Sequence, residues 1–208
     1  YDNDGFADLA VSLGNRVLLL HNEKDGTFKN LAGDAGIIVQ QAARQPGVLE
    51  TGSAAAVGLT FVDYDHDGDL DLYVTEILPR VNPNSGADSS SGRAVMWRNN
   101  GNGTFTDVTE STGLAGSEFI VAAAGTDYNN DRAVDLAVTG EKTAIFQNPR
   151  EGKFLRLFPI RSTATFGVAA LDFNHDGWVD LAFTNIGISA VTLWRNDKGK
   201  AFEEVRVP

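Results

Sequence analysis

From Asp63 to Asp71 the chain reads "DYDHDGDLD", with five aspartates in nine positions. Carboxylates this close repel one another and resist ionising together unless something positive sits among them. The spacing is D-x-[DN]-x-D-G-x-x-D, with a carboxylate or amide at positions 1, 3, 5 and 9 of the loop. Oxygens at alternating positions of a tight turn converge on one point. Glycine at position 6 permits the sharp bend, and the backbone carbonyl of position 7 is expected to turn inward. A hard cation taking 6–8 oxygens at about 2.3–2.6 Å suits such a loop, and that cation is Ca²⁺. Mg²⁺ fits less well, because it wants a strict octahedron and keeps its waters. The chain has no cysteine and only three histidines, which argues against zinc. An EF-hand is excluded as well: it needs a bidentate Glu at position 12, where the complete loops have Val74, Val138 and Phe183. The competing reading is a solvated turn with no ligand.

The same pattern occurs four times. The second copy is complete, with Asp63, Asp65, Asp67 and Asp71 as side-chain ligands and the Asp69 carbonyl at position 7. The fourth has Asp172, Asn174, Asp176 and Asp180, with the Trp178 carbonyl. The third has Asp127, Asn129, Asp131 and Asp135, with the Ala133 carbonyl, but Arg132 replaces the glycine. A non-glycine residue held at positive φ costs about 1 kcal/mol or more, so this copy is expected to bind more weakly. The first copy contributes Asp2, Asp4 and Asp8 with the Phe6 carbonyl, and the chain opens at its position 2, so it reads as incomplete. The ligand positions hold 13 of the 28 acidic residues, so much of the net charge of −11 is metal-directed.

The elements that position these loops also repeat. Each loop runs into a D-L-x-V-T-like strand ("DLAVS", "DLYVT", "DLAVT", "DLAFT"). An aromatic-x-Asn strand follows, then a Gly-rich turn, then an x-F-x-x-V strand. In the second unit the strands are expected at Ala55–Val62, Asp71–Thr75, Ala94–Arg98 and Thr104–Val108. "NNGNG" joins the last two, because Asn and Gly tolerate positive φ. Four antiparallel strands per unit, in tandem, make an all-β chain of β-propeller blades. The units span residues 1–53, 54–116, 117–160 and 161–208 of one propeller segment. The first strand of each unit, small and apolar, is expected innermost and buried on both faces. The first unit lacks it, and the chain reads as a piece of a larger propeller. A β-solenoid is the competing architecture, but its coils are shorter and carry no hairpin per repeat. Two long connections, Gly36 to Ser53 and Glu76 to Arg93, read as surface loops.

The chain resembles the FG-GAP/VCBS-type repeats of integrin α-subunit propellers and bacterial secreted proteins. "WRNNGNGTFTDVTESTGLAG" (Trp97 to Gly116), echoed by "DGTFKNLAGDAGI" (Asp25 to Ile37), is similar to repeats of the ASPIC/UnbV and cartilage-acidic-protein group. The resemblance implies a Ca²⁺-stabilised propeller, secreted or cell-surface, with adhesion or ligand binding as its role. Arg132, "NPREGKF" in the third unit and the truncated first loop depart from the pattern.

No catalytic motif is present: no H-E-x-x-H, G-x-S-x-G, P-loop or G-x-G-x-x-G. His66 and His175 sit at position 4 of acidic loops and are expected to point outward. Trp97 and Trp194 occupy equivalent strand positions, with Phe146 and Leu20 in the other units, so blade packing is the default over sugar stacking. Glu50, Glu76, Glu110 and Glu118 read as loop residues that spacing alone does not assemble. The acidity argues against nucleic acid and anionic membranes, and no apolar run reaches the roughly 18 residues of a membrane span. The expected function is an extracellular or periplasmic Ca²⁺-dependent interaction module for a protein or glycan ligand, not an enzyme. A lectin-like propeller and a propeller-fold polysaccharide-active enzyme are the alternatives.

Overall fold

The computed structural model describes residues 1–38, 55–78, 91–115, 119–157, 164–185 and 191–205. These form four antiparallel sheets, each within one sequence unit. The first has three strands, β1 (Leu9–Leu13), β2 (Arg16–Asn22) and β3 (Phe28–Asn30), and among the described residues it has no inner strand, as expected. The second has β4 (Ala55–Val62), β5 (Asp71–Leu78), β6 (Ser91–Asn99) and β7 (Phe105–Asp107), followed by one helical turn, α1 (Thr109–Thr112). The third has β8 (Ile120–Thr126), β9 (Asp135–Gly140), β10 (Ala144–Gln147) and β11 (Leu155–Leu157). The fourth has β12 (Thr165–Leu171), β13 (Asp180–Asn185), β14 (Val191–Asn196) and β15 (Phe202–Val205). In every four-stranded sheet the strands lie side by side in chain order, and β4, β8 and β12 lie against one another in succession. These are the blades of a β-propeller.

The cores lie between blades. Leu72 and Val74 of β5 pack with Val17 and Leu19 of the first blade, while Tyr73, between them in sequence, packs with Leu136 and Val138 of the third. Alternation along one strand therefore serves two interfaces, which is why β5 and β9 are apolar without a polar face. Trp97, Phe146 and Trp194 are buried in these cores, as their equivalent positions predicted. The inner strands differ from expectation. β4 and β8 are mostly half-exposed and β12 mostly exposed, and the strands buried on both faces are the second of the two middle blades, β5 and β9. Their small residues instead allow close approach: a Cβ at Gly58 would meet the Val121 carbonyl oxygen at 2.6 Å.

Each inner strand carries a register shift, at Ala56/Gly58, Ile120/Ala123 and Thr165/Val168. The bulged amide is left out of the ladder. The threonine of the D-L-x-V-T segment satisfies it: the amides of Gly58, Ala122 and Gly167 donate to Oγ1 of Thr75, Thr139 and Thr184 at 2.9, 3.0 and 2.8 Å. Two of these hydroxyls donate onward to the next blade, Thr75 to the Val121 carbonyl (2.7 Å) and Thr139 to the Phe166 carbonyl (2.9 Å).

A second seam lies at the outer edge. Asp107 Oδ1 accepts the Thr109 amide and hydroxyl, and the turn α1 ends at Gly113 with φ 74°. The Thr112 carbonyl then accepts the amide of Phe154 of the next blade. Residues 31–37 repeat this turn, with Gly36 at φ 80° and the Ala35 carbonyl accepting the Phe105 amide.

The strands of the second blade run longer than expected. β5 continues to Leu78 and β6 begins at Ser91, with Glu76 opposite Arg93. Glu76 is thus a buried strand residue and not a loop residue, and Glu110 lies in α1. Glu50, Glu118 and most of the two long connections lie outside the described residues.

The threonine seam gives the first prediction. Thr75→Val keeps the shape but leaves the Gly58 amide and the Val121 carbonyl without partners, each at a cost of about 1–3 kcal/mol. Urea unfolding should show a loss of about 2–4 kcal/mol, while Thr75→Ser should stay near wild type. Equal stability of Thr75→Val and wild type would remove the hydroxyl from the account.

Candidate metal centre

The four acidic loops share one backbone form. Position 6 has positive φ throughout: Gly5 85°, Gly68 93°, Arg132 69° and Gly177 86°. Arg132 therefore takes the strained conformation that the sequence pattern implied. Position 4 also has positive φ (Asn3 58°, His66 61°, Asn130 56°, His175 59°). Asn and His are among the residues that tolerate this region best, so they stand at position 4 for a conformational reason. His66 and His175 are exposed, as expected.

Carboxylates hold the turns. Position 1 accepts the position-6 amide: Asp63 from Gly68 (3.2 Å), Asp127 from Arg132 (3.0 Å) and Asp172 from Gly177 (2.9 Å). Position 5 accepts the position-7 amide: Asp4 from Phe6, Asp67 from Asp69, Asp131 from Ala133 and Asp176 from Trp178, at 2.8–2.9 Å. Position 9 is the deepest. Asp71, Asp135 and Asp180 are each fully buried, at 0% exposure. Their Oδ1 atoms accept the amides of Asn99, Asn148 and Asn196 at 2.7–2.8 Å, and Asp8 accepts that of Asn22 at 2.8 Å.

In the second loop, carboxylate oxygens of Asp63, Asp65 and Asp71 lie within 4.8 Å of one another. Asp63 Oδ1 and Asp65 Oδ1 are buried without a hydrogen-bond partner. Burial pushes the Asp71 carboxyl up to about 7 against the opposing amides of Asn99 and Tyr64. Burial, then repulsion from Asp67, raises Asp65. Convergent anions with unmatched lone pairs fit a hard divalent cation. Asp67 is outside this trio and turns to the Asp69 amide; the Asp69 carboxylate accepts the side-chain amide of Asn3 (2.8 Å).

The other loops are arranged differently. In the third and fourth, Asn129 and Asn174 donate to Oδ2 of Asp131 (2.8 Å) and Asp176 (2.9 Å), so the amide takes up a carboxylate lone pair. Asp135 Oδ2 is buried without a partner, and burial raises its carboxyl to about 7. Asp172 is held below the usual carboxylate range by the Gly177 amide. Arg150 donates to the Asp131 carbonyl and pins the third loop from its own hairpin. In the first loop, Lys24 pairs with Asp4 at 3.0 Å, and Asp2, Asp8 and His21 form a second group of potential ligands. His21 Nδ1 lies 3.1 Å from Asp2 Oδ2.

The aromatic-x-Asn strand carries a role that its pattern did not reveal. Asn99, Asn148 and Asn196 each donate from Nδ2 to two carbonyls. One belongs to position 8 of their own loop: Leu70 (3.2 Å), Val134 (3.3 Å) and Val179 (2.9 Å). The other belongs to position 2 of the preceding blade's loop: Tyr1 (2.8 Å), Tyr64 (2.6 Å) and Tyr128 (2.7 Å). The position-2 rings pack on the next blade's outer-strand phenylalanine, as Tyr1–Phe105, Tyr64–Phe154 and Tyr128–Phe202, with centroids 5.9–6.4 Å apart.

A family model described as the FG-GAP-like repeat matches residues 1–74, 85–138 and 127–183. The chain belongs to the FG-GAP-like repeat family, whose units are the blades described above, and it is a β-propeller-like interaction module. Comparison with curated proteins finds no significant match. No helix among the described residues is long and apolar enough to cross a membrane.

The raised carboxyls give a pH prediction for the metal-free protein. Unfolded aspartates ionise near pH 4, whereas Asp71 and Asp135 keep their protons to about pH 7 in the fold. Between these values the folded state binds more protons than the unfolded one, so stability falls as pH rises. In EDTA, melting temperature should drop between about pH 4.5 and about pH 7 and level off above that, and Asp71→Asn should flatten the slope. A metal-free stability that climbs over that range would contradict the burial argument.

Proposed function

We propose that this is a calcium-stabilised extracellular interaction module, secreted or on a cell surface, that presents blade loops to a protein or glycan ligand and catalyses no reaction. The convergence of Asp63, Asp65 and Asp71 around partnerless buried oxygens carries the calcium reading. In the second blade these three carboxylates, with the Asp69 carbonyl and Asp67 swung inward, would hold the ion. The corresponding groups in the other loops, Asp172, Asn174, Asp176, Trp178 and Asp180 foremost, would do the same. Calcium would supply positive charge and a fixed coordination centre. The chain's own contribution is to hold carboxylates in place through the amides of positions 4–7 and the third-strand asparagines.

Recurrence of the loop in every blade supports a structural role for the ion, because a catalytic centre is normally single. The acidity and the FG-GAP-like family support an extracellular setting, where modules bind Ca²⁺ with Kd near about 10⁻⁴–10⁻³ M. The lectin reading loses one of its supports, because Trp97 and Trp194 are buried in the core.

At ten times Kd each occupied site adds about 1.4 kcal/mol. Two or three sites should therefore raise the melting temperature by roughly 6–17 °C between EDTA and millimolar Ca²⁺. An unchanged melting temperature would defeat the structural role. Protein and glycan arrays probed with and without Ca²⁺ would identify the ligand class, and calcium-dependent turnover of a polysaccharide would defeat the non-enzymatic reading.

A further inference from the structure

We propose that the calcium site of the second blade is built from two blades, with Asn148 of the third blade as a positioning residue for its first two ligands. The inference rests on the calcium reading of that loop. Asp63 and Asp65 flank a single residue, Tyr64, so the orientation of the Tyr64 peptide groups sets where both carboxylates point. Those groups are held on two sides. The Tyr64 amide donates to Asp71 Oδ2 at 3.0 Å, within the loop. The Tyr64 carbonyl accepts Nδ2 of Asn148 at 2.6 Å, from the neighbouring blade. The two atoms between which the ion would sit, Asp63 Oδ1 and Asp65 Oδ1, are buried and partnerless on either side of this peptide.

Asn148 is built for the task. It is 4% exposed, and its capacity is spent: Nδ2 also donates to the Val134 carbonyl, Oδ1 accepts the Arg150 amide at 2.9 Å, and its own amide donates to Asp135 Oδ1 at 2.7 Å. A side chain of this length with two donors and an acceptor is an asparagine. The closing end of the same site is held from within the second blade, where Asn99 fixes the Leu70 carbonyl and Asp71 Oδ1. One ion would thus be framed by two asparagines on two blades, and occupancy of the loop is tied to docking of the third blade. Groups that orient ligands without touching the metal typically govern affinity by about 10–100-fold.

The test is titration of the chain with CaCl₂ by calorimetry, with Asp63→Asn identifying the component that belongs to the second loop. Asn148→Asp keeps the side-chain shape and the Arg150 contact but turns the donor into an acceptor facing the Tyr64 carbonyl. It also adds a negative charge near the site, which by attraction alone would tighten calcium. Positioning predicts the opposite, a second-loop component weakened by about tenfold, with Asn196→Asp leaving that component unchanged. Should Asn148→Asp not fold, Asn148→Ser, neutral and smaller, reads the same component with the same expected weakening. An unchanged or tightened second-loop component in a folded Asn148 variant overturns the proposal while leaving the calcium reading intact. Absence of any calcium component in wild type overturns both.

Discussion

A buried carboxylate at the start of each blade's second strand is the constraint from which the rest follows. Asp71, Asp135 and Asp180 have no exposure, and a carboxylate in that position is costly unless amides or a cation meet it. The chain meets one oxygen with the amide of the third-strand asparagine. That fixes the end of the third strand against the start of the second and so closes each blade at its loop end. The other oxygen faces the acidic loop. Where two further carboxylates converge on it, as Asp63 and Asp65 do on Asp71, the Tyr64 amide meets Asp71 but Asp63 Oδ1 and Asp65 Oδ1 stay without a hydrogen-bond partner, and the proposed ion would complete the balance.

The same economy joins the blades. Threonine side chains satisfy the bulged amides of their own inner strands and then reach across to the next. Asparagine side chains satisfy carbonyls of their own loop and of the loop behind. Position-2 aromatics supply the apolar contact beside that link. Each repeat is therefore incomplete alone, its polar backbone groups being answered from next door, which is the usual condition of repeat architectures.

Much of this was readable from the residues, and the failures have physical causes. The span Ala55–Val62 was legible because its run of small apolar residues ends at the first loop aspartate. β5 and β6 run longer than their sequence suggests, because Glu76 and Arg93 look like loop residues, whereas the register places them opposite each other. The small residues of the inner strand suggest that the double burial lies there. It belongs to the second strand, because alternation there feeds a core on each side. Position 6 revealed itself through glycine, but position 4 did not, since Asn and His adopt positive φ without announcing it. The asparagine was visible as a pattern and silent as a mechanism, because its partner is a backbone carbonyl of another blade. The second loop's three converging aspartates stand at positions 1, 3 and 9, and the residues already show Asn129 and Asn174 at position 3 of the third and fourth loops; what spacing could not tell is that these amides turn onto Asp131 and Asp176.

The central claim is that the aspartates of the second loop are arranged for a calcium ion. The most direct measurement is a crystal structure of the protein grown with calcium. The account predicts an ion about 2.3–2.6 Å from carboxylate oxygens of Asp63, Asp65 and Asp71 and from the Asp69 carbonyl, with 6–8 oxygens in all. A second loop with only water among those carboxylates at millimolar calcium would contradict it.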